Sequence, residues 1–244
     1  MRIECIFQPA TIPLSYQYLF SSLIKNAIST SSEEKFVEVY YYGDKKTKQS
    51  KSFTFSVFMR NFEIAGECFE VKDEIRCIIS SPEAELILHI YNGLLTAKEF
   101  QHKNYRLSLK RINLMKEQLP TKSEALFKTL SPIAIKSKKG EFIAPNHEEY
   151  DEALNYISNE IIKNIRESGL KEKLAFVPLQ MKKQVVKQQH ESFEALNENK
   201  TLYVEAYRGT FKLKGNAEDL ALLTQTGLGF RRSQGFGNIQ LVDG

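Results

Sequence analysis

The sequence predicts an α+β protein built from two consecutive ferredoxin-like βαββαβ units, one over residues 1–120 and one over 121–244. Three observations carry that reading. Short alternating apolar stretches are interrupted by helical stripes, and the order strand, helix, strands, helix, strand occurs once in each half. The turn and cap residues also fall between those segments rather than inside them.

Residues 2–8, RIECIFQ, alternate as a strand. After Pro9 and Pro13, Ser15 is placed to cap a helix over YQYLFSSLIKNAI, whose Leu19, Leu23 and Ala27 and whose Phe20, Ile24 and Ile28 form an apolar stripe. SFTFSVF (52–58) reads as a strand, FEIAGECFEVK (62–72) as a hairpin or extended segment, and EIRCIIS (74–80) as a further strand. Ser81-Pro82 opens a second helix carrying Ala84, Leu88 and Tyr91, and YRLSLKRINL (105–114) closes the first unit. In the second half TLSPIAIK (129–136) reads as a strand, and Asn146 is placed to cap a long helix stopped by Gly169. Extended stretches at 174–187 and 201–215 follow, then a short helix from Asn216, and NIQLV as the last strand.

The gross chemistry excludes several classes. With 42% apolar and 26% charged residues the chain is neither disordered nor fibrous. It shows no apolar run of membrane-spanning length and no signal-peptide core near its N-terminus. Cys5, Cys68 and Cys77 form no C-x-x-C pair, which argues against a zinc site or a disulfide framework and for a reducing cytoplasm. The net charge is only +4, yet between Lys103 and Lys139 ten basic residues face two acidic ones. Lys182, Lys183 and Lys187 form a second basic stretch. Either a polyanionic partner or a solvated lysine face explains that distribution.

The most distinctive segment is GLGFRRSQGFGNIQLV (227–242), with Gly227, Gly229, Gly235 and Gly237 around Arg231 and Arg232. A dinucleotide-binding G-x-G-x-x-G must lie between a strand and the following helix; here the order is reversed, and residue 232 is arginine where the third glycine belongs. No G-K-[ST] occurs, so a Walker A loop is excluded too. Phe230, Phe236, Ile239, Leu241 and Val242 are too apolar for a floppy tail. What remains is an ordered loop with exposed backbone, presenting two guanidiniums to a nucleic-acid backbone.

TGLGFRRSQGFGNIQLV resembles the C-terminal glycine-rich motif of the CRISPR repeat-processing endoribonucleases of the RAMP superfamily. KSFTFSVF (51–58) and TLSPIAIK (129–136) are similar to two further stretches of that family, in the same order, so the resemblance spans essentially the whole chain. It implies tandem RAMP-type ferredoxin-like domains and cleavage of the precursor CRISPR transcript within its repeats to give guide RNAs. It implies no metal and no cofactor: the RNA 2′-OH attacks the adjacent phosphate in line and leaves a 2′,3′-cyclic phosphate. The protein must then supply proton transfer, charge stabilisation and geometry. The implied partner is CRISPR repeat RNA, with a CRISPR effector complex and a homodimer as further family associations. A cytoplasmic place and no membrane contact are expected.

Many members of that family carry a histidine shortly before the F-T-F-S strand, and this chain has none there. Residues 34–51 offer Tyr40, Tyr41, Tyr42, Lys45, Lys46, Lys48 and Lys51 instead. His89 falls in an apolar helical pattern; His102 and His190 sit among polar residues; His147 lies in the first turn of an acidic helix. The resemblance therefore implies a histidine-free active site, with Lys25, Lys51 and a tyrosine, taken as Tyr41, as the catalytic candidates. Gly227, Gly229, Arg231, Arg232, Gly235 and Gly237 are the RNA-binding candidates. An ordinary lysine, with a pKa near 10.4, acts as an acid or fixed charge, which predicts a slow enzyme. Two other readings stay open: a repeat-RNA binder or effector subunit without catalysis, and a small-molecule-binding tandem ferredoxin domain.

Overall fold

Each half of the chain folds around an antiparallel sheet whose four principal strands lie in the spatial order second, third, first, fourth. The computed structural model describes residues 1–42, 45–46, 50–189 and 201–244, with residues 42, 45, 46, 189 and 201 described by backbone alone. Lys48 and His190 lie outside the described residues, as do the side chains of Tyr42, Lys45 and Lys46.

The first half runs β1 (Arg2–Phe7), β2 (Thr11–Pro13), α1 (Tyr16–Ser31), α2 (Glu33–Tyr40), β3 (Tyr41–Tyr42), β4 (Lys45–Lys46), β5 (Thr54–Met59), β6 (Phe62–Ala65), β7 (Cys68–Val71), β8 (Ile75–Ser80), α3 (Ala84–Ala97), β9 (Glu99–His102) and β10 (Tyr105–Met115). Its main sheet has the order β5-β8-β1-β10-β9, while β2, β7 and β6 form a small separate sheet. The apolar stripe expected on α1 is buried: Leu19, Phe20, Leu23, Ile24, Ala27 and Ile28 share one core with α3 and the inner face of the sheet. Cys5 and Cys77 are buried there too, and burial pushes the Cys5 thiol up to about 12, so they act as small hydrophobes.

The second half runs β11 (Glu124–Thr129), α4 (Tyr150–Arg166), β12 (Ala175–Gln189), β13 (Thr201–Lys214), α5 (Ala217–Thr226), a 3₁₀ turn (Arg232–Gln234) and β14 (Ile239–Asp243). The sheet order is β12-β13-β11-β14. Both halves therefore have the ferredoxin-like topology, with helices crossing between alternate strands.

Local signals behaved unevenly. Asn216 caps α5, accepting from the Glu218 amide at 3.1 Å. Ser15 precedes α1 without a side-chain capping bond, and α4 starts after Glu149 rather than at Asn146. One strand assignment needs correction. The first strand of the second half is Glu124–Thr129, and residues 130–136 form an irregular segment. Pro132 has no N–H to give a ladder, and the amides of Leu130 and Ser131 both turn to the Asn238 carbonyl, at 2.7 and 3.1 Å. Ile133, Ala134 and Ile135 are all buried in succession, which a one-sided strand cannot do.

Candidate active site between the two halves

The irregular segment 130–136 exists to receive the glycine loop. The Gly237 amide donates to the Pro132 carbonyl at 2.9 Å, and the Phe230 amide to the Ala134 carbonyl at 2.9 Å. On its other side the loop meets the first half. Thr54 Oγ1 donates to the Phe236 carbonyl at 2.9 Å, Asn238 Nδ2 donates to Ser56 Oγ at 3.1 Å, and Arg2 donates to the Thr224 and Ile239 carbonyls at 3.0 and 2.9 Å. The loop is thus a wedge between β5 and the second half.

The glycines are required by that wedge. Gly237 has φ +69°, and a Cβ there would stand 2.0 Å from the Leu228 carbonyl oxygen. Gly227, at φ +86°, would bring a Cβ within 2.8 Å of both Thr54 Cβ and the Gly237 carbonyl oxygen. Gly229 and Gly235 are likewise buried, pressed against Ala134 and the Phe55 ring. The close approach read from the sequence is real, but what the backbone approaches is protein. The expectation of an exposed glycine backbone is corrected for all four, which are buried against protein.

The two arginines separate. Arg232 is 3% exposed. It donates to the Thr226 carbonyl at 2.6 Å, to the Lys51 carbonyl at 2.8 Å and to Ser50 Oγ. Burial lowers its pKa, and its guanidinium clamps residues 50 and 51 to the glycine loop instead of standing exposed. Arg231 is half-buried with φ +59°, and its Nη1 reaches Gln188 Oε1 at 2.9 Å and Gln234 Oε1 at 2.7 Å. Its positive charge contributes to lowering the pKa of Lys136, after burial.

Lys51 leaves that clamp and enters a small cationic cluster. Its Nζ stands 4.8 Å from the centroid of the Tyr40 ring. Lys25, from α1, stands 5.6 Å from the same ring and 5.4 Å from that of Phe36. Two ammonium groups therefore share one aromatic ring, an arrangement favourable through cation–π attraction and unfavourable between the charges. Burial first, and then Lys25, lowers the Lys51 pKa. Burial raises that of the Tyr40 phenol, which stays a protonated donor. Tyr41 caps α2 and packs on Phe36 at 5.7 Å. The structure brings Lys25 and Lys51 together as expected, but seats Tyr40 between them.

The remaining histidines stand apart. His89 Nδ1 pairs with Ser31 Oγ at 2.9 Å between α1 and α3, and His147 Nδ1 accepts the Glu149 amide at 3.1 Å. Among the described residues no three His, Cys, Asp or Glu side chains gather in a metal-binding cluster. No helix among them is long and apolar enough to cross a membrane. The basic segment 103–139 is partly neutralised: Arg106 pairs with Glu99, Lys110 with Glu74 at 2.6 Å, and Lys138 with Glu152 at 2.7 Å.

Comparison with known proteins agrees with this architecture. The family profile "CRISPR associated protein Cas6, C-terminal" matches residues 115–241, and "CRISPR-associated protein Cas6, N-terminal" matches residues 11–113. The chain belongs to the Cas6 family. The two matched regions mark it as a CRISPR-associated protein. Among solved structures, a Cas6-related gene product of Pyrococcus furiosus is 21% identical with a TM-score of 0.82, over 99% of this chain and 98% of that one. A RAMP protein binding different RNA substrates is 20% identical with a TM-score of 0.79, over 100% of both chains. A CRISPR-associated Cas6 is 22% identical with a TM-score of 0.74, over 100% of this chain and 99% of that one. Those likenesses establish the tandem ferredoxin-like fold. No curated protein matches the sequence.

Proposed function

We propose that the chain is a metal-independent endoribonuclease that cleaves CRISPR precursor RNA within its repeats through a histidine-free site at Lys25, Tyr40 and Lys51. The observation that carries this reading is the convergence of Lys25 and Lys51 on the Tyr40 ring, with the Lys51 backbone pinned from the glycine loop. The RNA 2′-oxygen attacks phosphorus, the bond to the 5′-oxygen breaks, and a 2′,3′-cyclic phosphate remains. The 2′-hydroxyl proton passes to water.

Lys51 is the residue suited to protonate the departing 5′-oxygen, because its lowered pKa makes its ammonium a better acid than an ordinary lysine. Lys25 contributes fixed positive charge toward the phosphorane. The Tyr40 O–H is a neutral donor to a non-bridging oxygen, and its ring holds both ammonium groups in place. Arg231, not Arg232, is the RNA-contacting arginine in this reading. The two ferredoxin-like units divide near residue 120, and the second supports the site of the first through the Arg232 bond to the Lys51 carbonyl.

Single-turnover cleavage of the host's repeat RNA by Lys51→Met and Lys25→Met tests the assignment. Both variants lose rate with repeat binding nearly retained if the reading holds. Wild-type rates in both variants would remove the lysines from the mechanism.

A further inference from the structure

Helix α2 ends on Tyr40, so whatever sets the angle of α2 sets the ring that the two site lysines share. The helix has 8 residues and is about 12 Å long. One side of it, Phe36, Val39 and Tyr40, packs on the core of the first half. Another side carries Lys35, which is only 6% exposed. A lysine is almost never buried that far without partners. Lys35 Nζ has three: Glu38 of the same helix at 2.9 Å, Glu85 at 3.2 Å and Glu83 at 3.7 Å.

Two of those carboxylates belong to another element. Glu83 directly precedes α3, and Glu85 lies in its first turn. Glu83 makes no side-chain capping bond, so its carboxylate serves Lys35 rather than the helix end. A second tie crosses nearby, where Ser31 Oγ at the end of α1 pairs with His89 Nδ1 of α3 at 2.9 Å. The junction of α1 and α2 is thus fastened to α3 at Ser31, and the first turn of α2 at Lys35. Two successive ties restrict a short helix to one orientation. Stability alone does not call for a lysine here, because an apolar residue of similar volume often replaces a buried ion pair at no cost. What the ion pairs add is direction.

We propose that Lys35 is a positioning residue of the lysine site, and that its ion pairs to Glu83 and Glu85 hold α2 at the angle that seats Tyr40 between Lys25 and Lys51. The Tyr40 ring lies 4.8 Å from Lys51 Nζ, 5.6 Å from Lys25 Nζ and 5.3 Å from the Phe36 ring. Cation–π attraction holds only within about 6 Å, so a modest tilt of α2 carries Tyr40 out of reach of one or both ammonium groups. Lys51 is therefore fixed from the second half by Arg232, and its aromatic seat is fixed from α3 by Lys35. This inference rests on the lysine-site reading above.

The test is a double-mutant cycle between Lys35 and Tyr40 with two readouts. The first needs no RNA: trace acetylation of the full chain by acetic anhydride, measured at Lys51 by mass spectrometry. Lys35→Met, and separately Glu83→Gln with Glu85→Gln, should each raise Lys51 acetylation severalfold, as Tyr40→Ala does. Adding Lys35→Met to Tyr40→Ala should raise it no further, because coupled residues are not additive. The second readout is single-turnover cleavage of the host's repeat RNA in chelator. Lys35→Met should cleave about ten- to a hundredfold more slowly than wild type, and in the Tyr40→Ala background it should cost nothing more. A purely structural role would lower the melting temperature and give additive losses, and that result would overturn the proposal. Lys51 acetylation at the wild-type level in both the Lys35 and the carboxylate variants would overturn it too. A wild-type protein that does not cut the repeat would instead overturn the proposed function, and the acetylation cycle would still decide whether Lys35 seats Tyr40.

Discussion

Arg232 donates to the main-chain carbonyl of Lys51 at 2.8 Å, joining two residues 181 positions apart in the chain. Through that bond the glycine loop of the second half sets the backbone from which the proposed acid of the first half projects. The bond predicts a division of labour between neighbouring arginines. Arg232→Lys leaves buried carbonyls short of donors and should cost about 2–4 kcal/mol of stability, with the salt dependence of RNA binding unchanged. Arg231→Ala should lower the slope of log K against log salt by about 0.7, one phosphate contact on a single strand, with little change in melting temperature. The opposite pattern would exchange their roles.

Gly237→Ala places a Cβ against the Leu228 carbonyl at a φ of +69°. We expect destabilisation of about 4 kcal/mol or more, because backbone strain and a backbone clash coincide. Chemical denaturation measures it. A change under 1 kcal/mol would mean the loop can move aside, and the wedge would not be rigid.

Lys51→Met should lower the single-turnover cleavage rate about 10²–10⁴-fold, the usual worth of a positioned proton donor. Tyr40→Phe keeps the ring beneath both lysines and loses only the O–H, so it should be milder than Tyr40→Ala, which removes the shared platform. Tyr41→Phe should cleave like wild type. If Tyr41 proved more sensitive than Tyr40, the seating of Tyr40 between the lysines would not be the functional arrangement.

The pH dependence follows from the direction of one shift. Lys51 must be protonated to act as an acid, and its pKa is lowered, so the rate should fall as pH rises through a value below that of ordinary lysine. Lys25 is one cause of the lowering. Lys25→Met removes that like charge and raises the Lys51 pKa, so the descending limb should move to higher pH even though the rate is lower. A limb that stays in place or moves down would separate Lys25 from Lys51.

Much of this was legible in the sequence, and the parts that were not have physical reasons. The α1 stripe and the Asn216 cap are local signals, and they appear in the structure as read. Helix α2 was missed although Ser32 accepts the Lys35 amide at 3.1 Å as its cap, because its charged residues weaken the apolar pattern. The run Ile133–Ile135 misled because burial by a loop and burial in a sheet look alike in one dimension. Lys25 on the first helix and Lys51 directly before the F-T-F-S strand are legible in the sequence, but the seating of Tyr40 rather than Tyr41 between them depends on how α2 ends. The glycine loop announced a close approach; only the folded structure reveals that its partner is protein.

The central claim is cleavage by the RNA's own hydroxyl at a lysine site. Its most direct test is the host's repeat RNA in chelator, beside the same RNA carrying a single 2′-deoxy at the mapped cut. The account predicts one cut and a cyclic-phosphate end in the first, and none in the second. Cutting of the deoxy substrate at that bond would contradict the mechanism. Tight binding of both RNAs with neither cut would contradict the enzyme and leave a repeat-RNA binder.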